Sequence, residues 1–253
     1  FQFGTNWPIY STFVGDVFGS PLAIEAVFAF FMESTFLAIS LWGWDRVGKK
    51  AHFFSTVMVC VGSHLSAIWI LIANSFMQTP EGFALQYTDP ATLAVSILPQ
   101  GSVPTGEQIS NTKAIITSFW ELCTNPSCID RITHTIAACW LCGAFLGLGI
   151  CAYYIVRKRT DFAKSCAKIA LSFAAVSAAA MFFTGHSSAQ GLAVNQPEKL
   201  AAFEGHFRTE ESAPLWLTGI VDTQNREVRG IKLGGLLSFL AFGSTEARVY
   251  GLE

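Results

Sequence analysis

PLAIEAVFAFFMESTFLAISLWGW, residues 21–44, is the stretch of sequence that decides the fold. A helix needs about 20 apolar residues to cross about 30 Å of hydrocarbon, and this run is long enough. Further apolar runs of similar length occur at residues 53–77, 132–156 and 163–184. The sequence therefore predicts an all-α integral membrane bundle, with four transmembrane helices in residues 1–184 and an outer loop region in residues 185–253.

The composition supports this prediction and excludes other classes of protein. Of 253 residues, 51% are hydrophobic and 13% are charged, whereas a soluble domain carries about 25% charged residues. This composition makes membrane lipid the expected surrounding. The net charge of −2 provides no basic face for nucleic acid, so nucleic acid is not an expected partner.

Basic residues in the short turns predict the orientation of the helices. They lie between the first two runs and around the turn between the last two: Arg46, Lys49, Lys50, Arg157, Lys158, Arg159, Lys164 and Lys168. Short loops rich in Lys and Arg stay in the cytoplasm. The connection at residues 78–131 and the tail after residue 184 are then outside. We expect the connection to be an ordered loop with one short helix near residues 118–123.

Two carboxylates lie inside the first apolar run. Glu25 and Glu33 are eight residues apart, so on a helix they differ by about 80° in azimuth and about 12 Å in height. Charged groups are costly in a bilayer and usually have a function there. With the hydroxyls of Ser34 and Ser66 they are typical of a proton path, although serines also form purely structural bonds between helices.

Three more residues are candidates on weaker grounds. His134 lies near the outer end of the third run, where an imidazole can be an axial haem ligand or a hydrogen-bonded core residue. Lys199 and Glu204 lie in an Ala-rich segment of the tail. From the residues alone, that segment indicates a solvated helical turn, in which a charge pair contributes little.

Several motifs resemble one family, the large haem-carrying subunit I of cytochrome bd-type quinol oxidases. In chain order they are FQFGTNW (1–7), GDVFGSPLAIE (15–25), FFMESTF (30–36), GWDR (43–46), LSAIWI (65–70), NSFMQTP (74–80), the surroundings of His134, and QPEKLAAFEG (196–205). The resemblance implies a terminal oxidase that oxidises quinol at the outer membrane face and passes electrons through haems to reduce O2 to water. It implies a proton motive force generated without pumping.

The resemblance also implies roles for individual residues. His134 matches the axial ligand of the low-spin haem b, and Glu25 matches the acidic residue at the high-spin haems, which are haem b with haem d or a second haem b. Lys199 and Glu204 match quinol-binding residues of the outer Q-loop, here residues 185–253. Residues of the proton route from the cytoplasm are matched by Glu33, Ser34 and Ser66.

The family implies partners and a location as well. They are subunit II, a small single-span subunit, quinol and O2, in the bacterial cytoplasmic (inner) membrane with a multi-pass topology. His64 and the stretch at residues 185–189 resemble the cyanide-insensitive branch.

The chain begins at Phe1 without an initiator Met, so we expect an internal segment of a longer protein. In the family, the haem d ligand lies in an earlier helix and the second low-spin haem ligand in a later one. We therefore expect this segment alone to be inactive.

A different class of protein also fits the membrane carboxylates. A haem-free proton-coupled transporter, or a non-catalytic paralogue, would carry them too. An optical spectrum distinguishes these alternatives from an oxidase, because a transporter binds no haem.

Overall fold

The structure is a computed structural model that describes residues 6–253, so residues 1–5 of the first motif lie outside the described residues. It divides into two compact units, Phe1–Cys128 and Ile129–Glu253. Four helices of the described part are long and apolar enough to cross a membrane: Pro8–Trp42, Lys49–Phe76, Cys128–Val156 and Thr160–Asn195. The predicted helical membrane protein is thus confirmed.

The first helix, α1 (Pro8–Trp42), begins earlier than predicted and changes its winding in the middle. It is α-helical over Pro8–Ile24 and Phe31–Trp42 and π-helical over Glu25–Phe30. The apolar run predicted a start at about Pro21, but the helix begins at Pro8, and proline suits a first helical turn. Pro21 lies inside the helix, where it lacks an N–H donor, and the wider π-helical turns begin one turn later.

The second helix, α2 (Lys49–Phe76), follows after a short turn. A connection this short returns the chain alongside α1 in the opposite direction. The two helices approach each other closely at Gly62, where a Cβ would lie 3.0 Å from the Cβ and 3.2 Å from the Cα of Glu33. A side chain at residue 62 would therefore force the helices apart.

The connection after α2 contains a small sheet that the sequence did not predict. The strands β1 (Phe83–Thr88), β2 (Val95–Ile97) and β3 (Thr112–Ile116) pair antiparallel in the order β2-β1-β3. The short helix α3 (Gly106–Ile109) precedes β3, and α4 (Phe119–Cys123) confirms the predicted helix near residues 118–123. Strands of three to six residues carry too little periodicity to be recognised among Pro and Gly turns.

Two long helices follow, α5 (Cys128–Val156), which lies in the second unit except for its first residue, and α6 (Thr160–Asn195). With 36 residues at about 1.5 Å per residue, α6 is about 54 Å long and exceeds a hydrocarbon core of about 30 Å. It therefore continues past its predicted end at about residue 184, through a stretch whose polarity had indicated a loop. It ends at Asn195 because Pro197 disfavours helical geometry at Gln196, which has φ −143° and ψ 62°.

The tail folds around the end of α6 into a small mixed body. It contains α7 (Pro197–Glu204), β4 (Glu210–Glu211), β5 (Leu215–Asp222), β6 (Glu227–Leu233), α8 (Leu236–Phe242) and β7 (Arg248–Val249). The strands β5 and β6 form a hairpin, and β4 pairs with β7. Its core consists of Ala193, Leu200, Ala213, Leu237, Ala241 and Val249. The tail is thus a folded region with strands, which the all-α prediction did not include.

Candidate functional site

A carboxylate and a hydroxyl meet between the two helices of the first unit. The Ser66 hydroxyl on α2 donates a hydrogen bond of 2.6 Å to Oε1 of Glu25 on α1. Both residues are half-buried, and Glu25 is the first residue of the π-helical segment. π-Helical turns occur often at functional sites because they change the direction in which side chains project. The contact joins two residues that the sequence had singled out as parts of one proton path.

Glu33 lies on the same side of α1 as Glu25. The Cα and Cβ of Glu33 face Gly62 of α2, one turn before Ser66, so both residues face the α2 side of α1. This is the arrangement predicted from their spacing of eight residues. The absence of a side chain at Gly62 lets the α2 backbone approach Glu33, which a larger residue would prevent.

Ser34 makes its described hydrogen bond within α1. Its side chain is exposed, and its hydroxyl donates to the carbonyl of Phe30 at 2.7 Å. Within residues 6–253, therefore, Ser34 bonds to its own helix and does not extend the contact between Glu25 and Ser66. Hydroxyls of serine in membrane helices commonly bond to the preceding turn in this way.

His134 of α5 is held by a hydroxyl of α6. Its Nδ1 lies 3.1 Å from Oγ1 of Thr184, and Thr184 in turn donates to the carbonyl of Ala180 at 2.8 Å. Gly185 follows Thr184, and a Cβ at Gly185 would lie 3.3 Å from Cε1 of the His134 ring. The imidazole therefore lies close against the backbone of α6.

A second contact fixes the same pair of helices one turn nearer the start of α5. The Ser187 hydroxyl of α6 donates to Oδ1 of Asp130 at 2.8 Å, and a Cβ at Gly191 would lie 2.6 Å from Oδ2 of Asp130. Gly191 therefore has to remain without a side chain for the carboxylate to fit. Together with the bond to Thr184, this contact holds His134 at a defined position between α5 and α6.

These contacts fit an axial haem ligand at His134. The one described hydrogen bond of its ring occupies Nδ1, and metal-binding imidazoles typically bond to protein through one nitrogen and to metal through the other. Among residues 6–253, no three His, Cys, Asp or Glu side chains are grouped to hold a metal ion directly. Iron in a porphyrin needs only axial ligands from the protein, and one imidazole can provide such a ligand.

Lys199 and Glu204 lie on α7, where burial shifts both of their pKa values. Burial raises the pKa of the Glu204 carboxyl, and the positive charge of His206 opposes this shift. Burial lowers the pKa of the Lys199 ammonium, with the charge of Arg131 as a second cause. Both shifts favour the neutral forms, as expected for groups withdrawn from water. This differs from the solvated turn that the residues alone indicated.

The end of α7 places a buried histidine beside Glu204. Gly205 adopts the left-handed conformation at φ +61° and ψ 31°, which closes the helix and turns the chain. His206 is 4% exposed, and its Nδ1 lies 4.0 Å from Oε1 of Glu210. The sequence had not indicated Gly62 or Thr184, because no local pattern reveals contacts between residues far apart in the chain, and it gave no sign that His206 is buried.

The fold and these contacts define a class of protein: a multi-pass helical membrane protein with a carboxylate bonded between two helices and an imidazole bonded between two others. A family model described as cytochrome bd terminal oxidase subunit I matches residues 1–253. This chain belongs to the cytochrome bd terminal oxidase subunit I family.

Individual relatives agree with the family. The cytochrome bd ubiquinol oxidase subunit 1 of Bacillus subtilis (strain 168) is 36% identical over 256 residues, covering 100% of this chain and 50% of the relative. The cytochrome bd-II ubiquinol oxidase subunit 1 of Escherichia coli (strain K12) is 38% identical over 256 residues, covering 100% of this chain and 46% of the relative. The chain thus spans about half the length of the curated relatives it matches.

A solved structure has the same fold. The bd oxidase from Geobacillus thermodenitrificans superimposes with a TM-score of 0.77 at 30% identity, covering 97% of this chain and 52% of that chain. Together with the four apolar helices, this makes the protein an integral membrane protein, and the bacterial inner membrane is consistent with its family.

Proposed function

We propose that this chain forms the quinol-oxidising half of a terminal oxidase subunit that reduces O2 to water. The observation that carries the proposal is the family match over residues 1–253. Two relatives are ubiquinol oxidase subunits by name, which supports a quinol as the electron donor. Subunit II, a small single-span subunit and the remaining part of subunit I complete the enzyme.

The quinol site in this proposal lies at α7 on the outer side. Glu204 accepts a proton from a quinol hydroxyl, because a carboxylate with a raised pKa is a stronger base than an ordinary one. Lys199 binds the headgroup oxygen by donating a hydrogen bond. Protons released here leave to the outside.

His134 holds the low-spin haem b through its imidazole. Haem b, when bound, supplies one-electron iron chemistry, and the high-spin haem b and haem d (or a second haem b) do so at the oxygen site. The protein contributes ligation, orientation and the surrounding charge. Glu25 is the residue of this chain that we assign to the oxygen site.

Protons for water formation reach that site from the cytoplasm. Glu33 receives them nearer the cytoplasmic end of α1. They then pass to Glu25, whose Oε1 lies 2.6 Å from the hydroxyl of Ser66. A proton cannot cross bare hydrocarbon, so such groups have to be present along its route. Quinol protons leave outside and water protons enter from inside, so charge is separated without a pumping step.

Replacement of Glu33 by Gln in the full-length oxidase tests this function. Quinol-driven oxygen uptake should fall, while the haem content per enzyme stays constant, because only proton delivery is interrupted. Ser63→Ala is the matched control: Ser63 of α2 is exposed and its hydroxyl bonds to the Val59 carbonyl at 3.0 Å. Normal turnover in Glu33→Gln would disprove the proton route, and absence of haem from the wild-type enzyme would disprove the oxidase assignment.

A further inference from the structure

We propose that Thr184 is a positioning residue that sets the tautomer of His134 and makes Nε2 the iron-binding atom. This inference rests on the proposed function, because it concerns the haem ligand. It goes beyond that function because it assigns a role to Thr184, a residue on a different helix from the ligand.

The Thr184 hydroxyl has a single hydrogen to donate. That hydrogen is directed to the carbonyl of Ala180, at an Oγ1 to O distance of 2.8 Å. A carbonyl oxygen can only accept, so the hydroxyl has to donate in this bond. Toward His134, at an Oγ1 to Nδ1 distance of 3.1 Å, Thr184 therefore has only lone pairs left.

This assignment determines which ring nitrogen carries the proton. Because Thr184 accepts, Nδ1 of His134 has to be the N–H donor, and in a neutral imidazole the other nitrogen, Nε2, then carries the free lone pair. A metal is bound by an unprotonated imidazole nitrogen, and the N–H on the other side is typically held by an acceptor of the protein. Thr184 provides that acceptor.

Gly185 restricts the ring further. A Cβ at this residue would lie 3.3 Å from Cε1 and 3.7 Å from Nδ1 of His134. The ring edge between the two nitrogens therefore faces the α6 backbone. Thr184 keeps the proton of the ring on Nδ1, and Gly185 leaves room for the ring. These two adjacent residues of α6 together orient the ligand.

The test is a redox titration of the low-spin haem in the purified full-length oxidase carrying Thr184→Val. An acceptor on Nδ1 makes an imidazole more basic and favours oxidised iron. Its removal should therefore raise the midpoint potential, and Thr184→Ser, which keeps the hydroxyl, should restore the wild-type value. The matched control is Thr133→Val, because Thr133 is exposed beside His134 and its hydroxyl bonds to the Ile129 carbonyl at 2.9 Å.

A rescue experiment keeps the proposal testable even where Thr184→Val alters assembly. In His134→Gly, added imidazole should restore the low-spin spectrum at a lower concentration than 1-methylimidazole, which has no N–H to donate to Thr184. Loss of a hydrogen-bond partner of a metal-binding imidazole typically weakens metal binding about 10–100-fold. The preference for imidazole over 1-methylimidazole should disappear in His134→Gly combined with Thr184→Val.

The outcomes separate the two claims. An unchanged potential in Thr184→Val, or equal rescue by both imidazoles, overturns the role of Thr184 and leaves the haem assignment intact. Retention of the low-spin spectrum in His134→Ala overturns the haem assignment itself. A potential that shifts equally in Thr133→Val also contradicts the proposal, since the effect would then not depend on the Nδ1 bond.

Discussion

Glu204 illustrates how one residue changes character between sequence and structure. In the sequence it is one of two charged residues in an Ala-rich turn. In the structure it is half-buried at the end of α7, beside the buried His206. The loss of water around the carboxyl is the main cause of its raised pKa, and burial of this kind is common where a group has to exchange protons.

The pH dependence of quinol oxidation should report Glu204. Only the carboxylate form accepts a proton, so kcat/KM should fall as the pH falls through the pKa of Glu204. Because that pKa is raised from its usual value of 4.5, the acidic limb should lie above this value. Glu204→Gln should remove the limb and reduce kcat/KM by about 10²-fold.

Glu198→Gln provides the control for this prediction. Glu198 lies on the same helix but is exposed, so its replacement should leave both the limb and the rate unchanged. An acidic limb that persists in Glu204→Gln would show that another group accepts the quinol proton.

Single residues also mark the limit of what the sequence could predict about the site. Glu25 and Glu33 could be recognised because a bilayer penalises them wherever they point. Thr184 could not, because a threonine near a helix end is common and its contact with His134 joins residues 50 positions apart. The exposed side chain of Ser34 was equally unpredictable, since spacing gives the azimuth of a residue but not its bonding partner.

Helices and loops differ in how well the sequence indicates them. The four apolar runs predicted the four long helices because their length and hydropathy are strong signals. The ends were less clear: the apolar run was predicted to start at about Pro21, which lies inside α1, and the polar stretch after residue 184 continues as α6. The small sheets could not be predicted, since tertiary pairing decides whether such short segments become strands.

The close contact of α1 and α2 at Gly62 gives a prediction about stability. A methyl group there would meet the Cα, Cβ and backbone N of Glu33 at 3.0 to 3.3 Å, and backbone atoms cannot move aside easily. Gly62→Ala in the full-length protein should therefore lower the free energy of unfolding by about 1–3 kcal/mol. The measurement is the Tm of the detergent-solubilised oxidase.

Gly48→Ala is the comparison for that measurement. Gly48 precedes α2 at φ −67°, and nothing lies within 4 Å of an added Cβ. Its Tm should match the wild type. If the Tm of Gly62→Ala also matched that of the wild type, this result would contradict the close approach of α2 to Glu33.

For the whole molecule, the charges of the turns predict which side faces the cytoplasm. A cysteine placed at Val103, which is 89% exposed in the connection after α2, should react with a membrane-impermeant maleimide in intact cells. A cysteine at the exposed residue Asp45, in the turn after α1, should react only after the membrane is broken. Both variants are made in a protein whose native cysteines are replaced by serine, and the reverse labelling pattern would invert the proposed topology.

The family match and the four apolar helices agree on a membrane protein, and the proposed electron-transfer function requires haem at His134. The most direct test is the reduced-minus-oxidised optical spectrum of the full-length oxidase carrying His134→Ala. The control is His186→Ala, which removes an exposed histidine of α6. The low-spin haem absorption should disappear in His134→Ala and persist in His186→Ala. An unchanged spectrum in His134→Ala would contradict the assignment of this chain's haem ligand.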